Sequence, residues 1–414
     1  MIPRKSVAHS WLPIVLTVAL VGLLDRVPSI TDSRGEPVAA GVDLVFPAIY
    51  VAFSPLSRLL DALTMLANSQ SIALFVSVAI LAVTWVFLTH RKSKRALWRR
   101  HAIALVLVLS GVAAFETAAV FLPRDMAALR ASDPDVVRVD FHSHTGASHD
   151  VRKSFGAEDN RDWHESGGFD IAYVTDHVTF AGAAAARAKN PARAGVGTSL
   201  LSGVEGRYHR IISIIVLGVN EGDSAIFSGR GNLLATPPSG SGSVTMIALP
   251  SRNLDSVTTA LHDSIVALPN LRAIELIDAA PRGLSQLDRQ ETRIRKVAAD
   301  LDLILVSASN HHGWGRTVAA WNLVRVPGWR ELPPDSVGRL IERQLRERSP
   351  GAVEVVQRTR PKVHGAAVAS TLPILTYQII GSLTLAERLA WLGWIWGLYT
   401  LLLIRRRARR TRIE

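Results

Sequence analysis

Apolar residues follow two textures along this chain. Toward both ends they form long uncharged runs, and in the middle they come in short runs broken by polar turns. Ser71–Thr89 carries no charge, and as a helix it would extend about 28 Å, close to a hydrocarbon core of roughly 30 Å. Ala102–Leu122 has the same character, interrupted by Glu116. Val7–Leu24 is apolar behind Arg4 and Lys5, with no clean small-residue cleavage site after it, and reads as an uncleaved anchor. Leu389–Ile404 is uncharged and holds Trp391, Trp394, Trp396 and Tyr399, which suit an interfacial belt. Val42–Leu66 contains Asp43, Pro47, Pro55, Arg58 and Asp61 and reads as an interfacial or re-entrant segment. Four spans, about 7–24, 71–89, 102–122 and 389–404, divide the chain into an N-terminal membrane region (1–122), a large domain (123–365) and a C-terminal anchor with a basic tail (366–414).

From Val136 onward the pattern shortens. Val136–His142, Asp170–Thr175, Arg210–Leu217, Thr245–Ala248, Ala273–Ile277 and Leu303–Val306 read as strands. Helical periodicity covers Gly182–Lys189, Asp255–Ala267, Ser285–Ala299 and Ser336–Arg348. Strands separated by crossover helices predict an α/β fold, a parallel barrel or sheet. Glu221–Ser243, rich in Gly, Ser and Pro, reads as a long loop and a candidate lid. Its Gly229-Arg230-Gly231 lacks the lysine and following helix of a phosphate loop.

Charge changes the picture once it is located. The net charge is +12 over 414 residues. Six cations lie within Arg91–Arg100 and six within Arg405–Arg412; the remaining Lys and Arg equal the 35 Asp and Glu. The basicity is therefore two clusters beside apolar runs, a topology signal and no footprint for nucleic acid. With both clusters in the cytoplasm, the predicted spans put 123–365 outside, in a multi-pass protein of the cell membrane. The inverted arrangement would leave that domain in the cytoplasm. The absence of cysteine excludes disulfides, thiolate metal ligands and a cysteine nucleophile.

The candidate chemistry collects at strand ends. In Asp140-Phe141-His142-Ser143-His144, the two-residue period puts Asp140, His142 and His144 on one face. His149 and Asp150 follow in a short loop. Another strand ends in Thr175-Asp176-His177, another segment supplies Glu205 and His209, and the last supplies Ser309-Asn310-His311-His312-Gly313. In α/β barrels the carboxyl ends of the strands form the reactive face, so four such groups in one domain can converge. His9, His90, His101, His164, His262 and His364 show no ligand-like spacing.

Taken together these motifs resemble the PHP (polymerase and histidinol phosphatase) domain, over about residues 136–330. The matching segments are His142-Ser-His144-Thr145 with Ser148-His149-Asp150, Thr175-Asp176-His177 behind Gly168-Phe169-Asp170, Gly203-Val-Glu205 with His209, and Ser309-Asn310-His311-His312-Gly313. The resemblance implies a distorted (βα)7 TIM-like barrel, here flanked by transmembrane helices. It also implies a metal-dependent hydrolysis of a phosphate ester in which a hydroxide formed on the metal attacks phosphorus. His142, His144, Asp150, His177, Glu205, His209, Asn310 and His312 would hold one or two divalent ions (Zn, Mn or Fe). Asp176 or His149 would shuttle protons or orient ligands. The expected substrate is a phosphorylated small molecule or a lipid-linked one, with membrane lipid as the other partner. Two positions depart from the family pattern. Asn310 stands where the family has a ligating Asp, and Leu249 stands where it often has a His before Pro250. These departures keep two alternatives open, a non-catalytic sensor or scaffold with a degenerate site, and another metal-dependent hydrolase.

Overall fold

The run Val136–Ser143 alternates strictly enough to fix a strand with two distinct faces. Its Val137, Val139 and Phe141 are fully buried in the apolar core, while Asp140 and His142 occupy the other face. The computed structural model describes residues 8–24, 27–90, 95–208, 212–227, 242–249, 268–349, 351–360 and 368–410. In order, the elements are α1 (Ala8–Gly22), β1 (Ile30–Asp32), β2 (Val42–Val45), α2 (Ala48–Ala52), α3 (Ser54–Thr64), α4 (Asn68–His90), α5 (Arg95–Phe121), β3 (Ala128–Ala131) and β4 (Val136–Ser143). Then follow α6 (Ala157–Ser166), β5 (Ile171–Val174), α7 (Ala181–Arg187), β6 (Ser199–Tyr208), β7 (Ile212–Leu217), β8 (Val244–Ile247), β9 (Leu271–Asp278), α8 (Pro281–Asp300) and β10 (Ile304–Ala308). The chain closes with β11 (Ala320–Arg325), α9 (Pro334–Glu347), β12 (Glu354–Arg358), α10 (Val368–Gly381) and α11 (Leu385–Arg410).

Ten strands form one mixed sheet in the order β1-β12-β11-β4-β5-β6-β7-β8-β9-β10. Pairing is parallel from β4 through β6 and from β8 through β10, with α6, α7 and α8 supplying crossovers. The other pairs are antiparallel. The sheet curls into a half-barrel, an architecture compatible with a TIM-like barrel, so that β10 returns beside β4. No ladder joins those two strands along their length. The amide of Asn322 on β11 spans the gap instead, donating to the carbonyls of Val139 (2.9 Å) and Ser307 (2.8 Å) and accepting from the Ser307 N–H (2.7 Å). At the mouth, the Asn310 N–H donates to the His142 carbonyl (2.9 Å) and the His144 N–H to the His311 carbonyl (3.1 Å).

The six strands expected from periodicity are present within a few residues, with β7 described from Ile212. Strands β6, β11 and β12 and helix α6 were not expected. Ser199–Tyr208 is buried on both faces for eight residues, so it shows no alternation. The expected helix Asp255–Ala267 lies outside the described residues, as does most of the expected loop Glu221–Ser243, whose start Glu221–Ile226 is a 3-10 helix. Strand β1 extends the sheet from within the segment ahead of residue 123, pairing antiparallel with β12.

Two helices, over Asn68–Leu88 and His101–Phe121, are long and apolar enough to cross a membrane, and Trp11–Gly22 is a shorter apolar helix. The start of α4 and the end of α5 both meet the barrel. The Asn68 N–H donates to Ser285 Oγ (3.0 Å), and the Gly315 N–H donates to the Val120 carbonyl (2.8 Å). The short helix α3 is fixed to the same region by Asp61. Its carboxylate receives Arg358 (2.8 Å), Arg124 (3.2 Å), the Tyr50 hydroxyl (2.7 Å) and the Thr317 hydroxyl (2.9 Å).

Candidate metal centre

The curl brings imidazoles and carboxylates from four separate segments to the mouth of the half-barrel. Among the described residues, three groups each have ligand atoms within 4.8 Å of one another. They are His142 with His144 and Glu205; His144 with His177 and His312; and His149 with Asp150 and His177. His142 and His144 leave the same face of β4 and its end, and their Nε2 atoms are 2.8 Å apart. Glu205 Oε2 lies 3.0 Å from His142 Nε2, 3.3 Å from His144 Nε2 and 3.5 Å from His177 Nδ1. Asp150 Oδ2 links the outer edge, 3.2 Å from His177 Nε2 and 3.3 Å from His312 Nε2.

The electrostatics are those of a site built for a cation. Burial opposes charge on His142, but Glu275 and Glu205 on either side raise its pKa well above the usual imidazole value. Burial pulls His144 down to about 3, so it offers a neutral acceptor to its neighbour. Glu205 is buried as well, yet His142, His144 and His177 hold its carboxyl well below the usual range. Imidazole nitrogens and a carboxylate thus converge at one point, which is the position a divalent ion would take. Asn310 adds an independent sign. Its Nδ2 donates to Asp278 Oδ2 (2.9 Å), which fixes the amide, and its buried Oδ1 has no hydrogen-bond partner among the described residues. An orphaned buried amide oxygen beside a nitrogen and carboxylate donor set fits a cation ligand.

The predicted residues fall into distinct positions. His142, His144, Asp150, His177, Glu205 and His312 meet at the mouth. Asn310 stands beside them in the left-handed region (φ 44°), a conformation Asn tolerates. His209 lies outside the described residues. His149 is exposed, its ring 5.0 Å from that of His177. Asp176 belongs to none of the three groups. It accepts from the Thr145 N–H (2.7 Å), the Thr145 hydroxyl (2.7 Å) and the Ser148 hydroxyl (3.1 Å), and so shapes the turn after His144. Ser148 in turn accepts the His177 N–H at 2.9 Å, so Asp176 positions two histidines indirectly. Gly182 lets α7 approach this turn, since a Cβ there would lie 2.0 Å from Asp176 Oδ2.

Several residues at the centre gave no local signal. Glu275 on β9 holds His142 Nδ1 at 2.7 Å and accepts the Leu249 N–H at 2.6 Å. Leu249 therefore contributes its backbone. Asp278 anchors Asn310, and His164 binds Asp140 Oδ2 at 2.8 Å. Asp140 also takes the Ser309 N–H (3.0 Å) and hydroxyl (2.5 Å), which ties β4 to the loop bearing Asn310. His311 stacks on Trp163 at 4.0 Å and is buried, so of the His311-His312 pair only His312 reaches the cluster.

No protein-family model matches the chain, and no curated protein does. Among solved structures, a Bifidobacterium adolescentis protein described as a metal-dependent phosphoesterase matches at 15% identity and a TM-score of 0.31, over 49% of this chain and 96% of its own. PsfC from Pseudomonas syringae matches at 12% identity and 0.36, over 58% and 97%. The lesion-specific endonuclease EndoQ from Pyrococcus furiosus matches at 16% identity and 0.32, over 45% and 52%. Likenesses of this size assign no activity to the chain.

Proposed function

We propose that this chain is a membrane-anchored, metal-dependent phosphoesterase built on the distorted (βα)7 barrel of the PHP family. The observation that carries the reading is that His142, His144, His177, Glu205, His312 and Asp150 fall into overlapping groups of three whose ligand atoms lie within 4.8 Å of one another at the mouth of the half-barrel. His142, His144, Glu205, His177, Asp150, His312 and the Asn310 oxygen would hold one or two divalent ions. A bound cation supplies Lewis acidity, lowering the pKa of water and screening phosphoryl oxygens. In the reaction water oxygen bonds to phosphorus, the ester P–O bond breaks, and the alcohol leaves with a proton. Water's other proton stays on the phosphate product or passes to solvent, a transfer that His149, exposed at the rim beside His177, would relay. Glu275 keeps His142 oriented, and Asp176 keeps the Thr145–Ser148 turn in shape.

Membrane anchoring rests on α4 and α5, whose apolar windows are only 17% and 6% buried. A core helix of a soluble protein would be mostly covered, and exposed apolar surface of this extent calls for lipid. The four residues between the helices, Arg91–Lys94, carry part of the first basic cluster, which supports a non-cytoplasmic position for the barrel. Reporter fusions after Arg124 and after Arg412 are expected to report opposite compartments. The same side for both would end the four-span topology.

The test of the chemistry is metal analysis of the purified chain, paired with turnover of an aryl phosphate in added Mn²⁺ or Zn²⁺. His142→Ala and His144→Ala are each expected to remove most bound metal and at least about tenfold of the activity. Unchanged metal content in both would reject the centre. A second reading, a sensor with no turnover, is favoured by the apolar side chain of Leu249. Metal bound at His142 and His144 with no hydrolysis of any phosphate ester would select it.

A further inference from the structure

The metal centre opens into a cavity of about 500 Å³, one wall of which is made by residues of the two long apolar helices. Asp150, Asn310 and His312 line it together with Leu66, Ser71 of α4 and Val120 of α5. Because the start of α4 and the end of α5 both abut the barrel, this wall lies at one end of the helical hairpin. In a membrane that end sits at the level of the lipid headgroups.

Two further observations bear on the occupant. Trp314, two residues beyond His312, is 42% exposed and packs edge-on to Phe121, which is 59% exposed, at 5.1 Å. Large exposed aromatics at the end of a span favour the interfacial zone, so the loop carrying the metal donors lies against that zone. Glu116 also lines the cavity, and one of its buried carboxylate oxygens has no hydrogen-bond partner among the described residues. Such an atom is ready to accept from a ligand hydroxyl. A small hydrophilic phosphate would use the metal donors and leave the apolar helical wall without a role.

We infer that the substrate is a phosphate ester of a membrane lipid. Its headgroup reaches Asn310 and His312 while its chains run past Val120 and Ser71 into the bilayer. The inference rests on the phosphoesterase reading for its chemistry and on the cavity for its chain selectivity. On it, the enzyme takes its substrate from the outer half of the hairpin without lifting it into water.

The test uses the full chain in nanodiscs with Mn²⁺ and two substrates sharing one headgroup, dioleoyl and dibutanoyl phosphatidic acid. The long-chain ester is expected to have a kcat/KM at least about tenfold above the short-chain one. Val120→Trp or Ser71→Phe, either of which fills space beside the helical wall, should lower that ratio by about tenfold, while Leu107→Trp, exposed elsewhere on α5, should leave it alone. A diazirine-tagged phosphatidic acid supplies a readout independent of turnover. It is expected to label the peptides around Ser71 and Val120, and Val120→Trp should reduce the labelling. Equal rates on the two esters without localised labelling would overturn the lipid assignment and leave the phosphoesterase. Labelling without hydrolysis of either ester would support the lipid site and reject the phosphoesterase. Neither hydrolysis nor localised labelling would overturn both.

Discussion

At the scale of single residues, Asn310 decides how the centre responds to charge. The substitution Asn310→Asp would supply a charged ligand, but the Nδ2 of Asn310 donates to Asp278 at 2.9 Å. A second carboxylate there would face Asp278, whose pKa burial and Glu275 already push well above the usual range. The expected result is a split. With chelator present, the melting temperature of Asn310→Asp falls below that of the parent, and with saturating Mn²⁺ the order reverses. A variant that melts like the parent in both conditions would show that Asn310 lies outside the metal's reach. The residues around it divide by how their positions are encoded. His142 and His144, or Asp176 and His177, announce themselves because local geometry alone puts them together. Glu275 and Asp278 on β9 and His164 on α6 do not, since their spacing matches no ligand pattern. They reach the centre only when the sheet curls, and nothing in the spacing around them records the curl.

Among the elements, the seam between β10 and β4 is where sequence is least informative. Period and length marked the core strands well, but β6 is buried on both faces and β11 carries its key residue as an unremarkable Asn. Asn322 satisfies two carbonyls and one N–H that would otherwise be buried without partners. Asn322→Leu keeps the volume and removes all three bonds, so it is expected to destabilise the domain by about 3 kcal/mol or more. Urea unfolding followed by tryptophan fluorescence measures this, and a loss under about 1 kcal/mol would mean that water or a shifted strand replaces the amide. A second element-level expectation concerns α9. Burial pushes Glu342 up to about 7, with Asp335 adding to the rise, while the Tyr173 hydrogen bond, Arg346 and Arg339 oppose it. Its folded pKa exceeds the unfolded value near 4.5, so the folded state holds the proton more tightly, and stability falls as pH climbs from there to about 7. Glu342→Gln should therefore gain on the parent between pH 5 and pH 8, by up to about 3 kcal/mol. A gap that stays constant across that range would contradict the assignment.

Across the whole molecule, one carboxylate joins the helical region to the barrel. Asp61 on α3 receives Arg358 from β12, Arg124 from the exit of α5 and Thr317 from the segment that follows the metal loop. From sequence, Asp61 marked Val42–Leu66 as unfit to span a membrane, and the structure gives the reason for its presence. Asp61→Asn leaves the fully buried Arg358 without its counter-charge, at an expected cost of about 3–5 kcal/mol. Because Thr317 shares the carboxylate, the same variant should loosen the loop of Asn310 and His312 and weaken metal binding. Metal affinity and thermal stability measured together test this, and a loss of stability with unchanged metal affinity would separate the two regions.

Strand β1 is an outer edge of the sheet, and among the described residues its only sheet neighbour is β12. During synthesis β1 emerges before α4 and α5, and its partner comes almost a whole chain length later, just ahead of α10. Long-range pairing of this kind is slow, and a free edge is open to other chains in the meantime. Insertion of the intervening helices into a bilayer would hold the two strands near one surface and shorten the search. For this protein the lipid would then act as a folding template, and truncation after the barrel's last helix would leave a ribosome-released chain with a sticky, uncapped border.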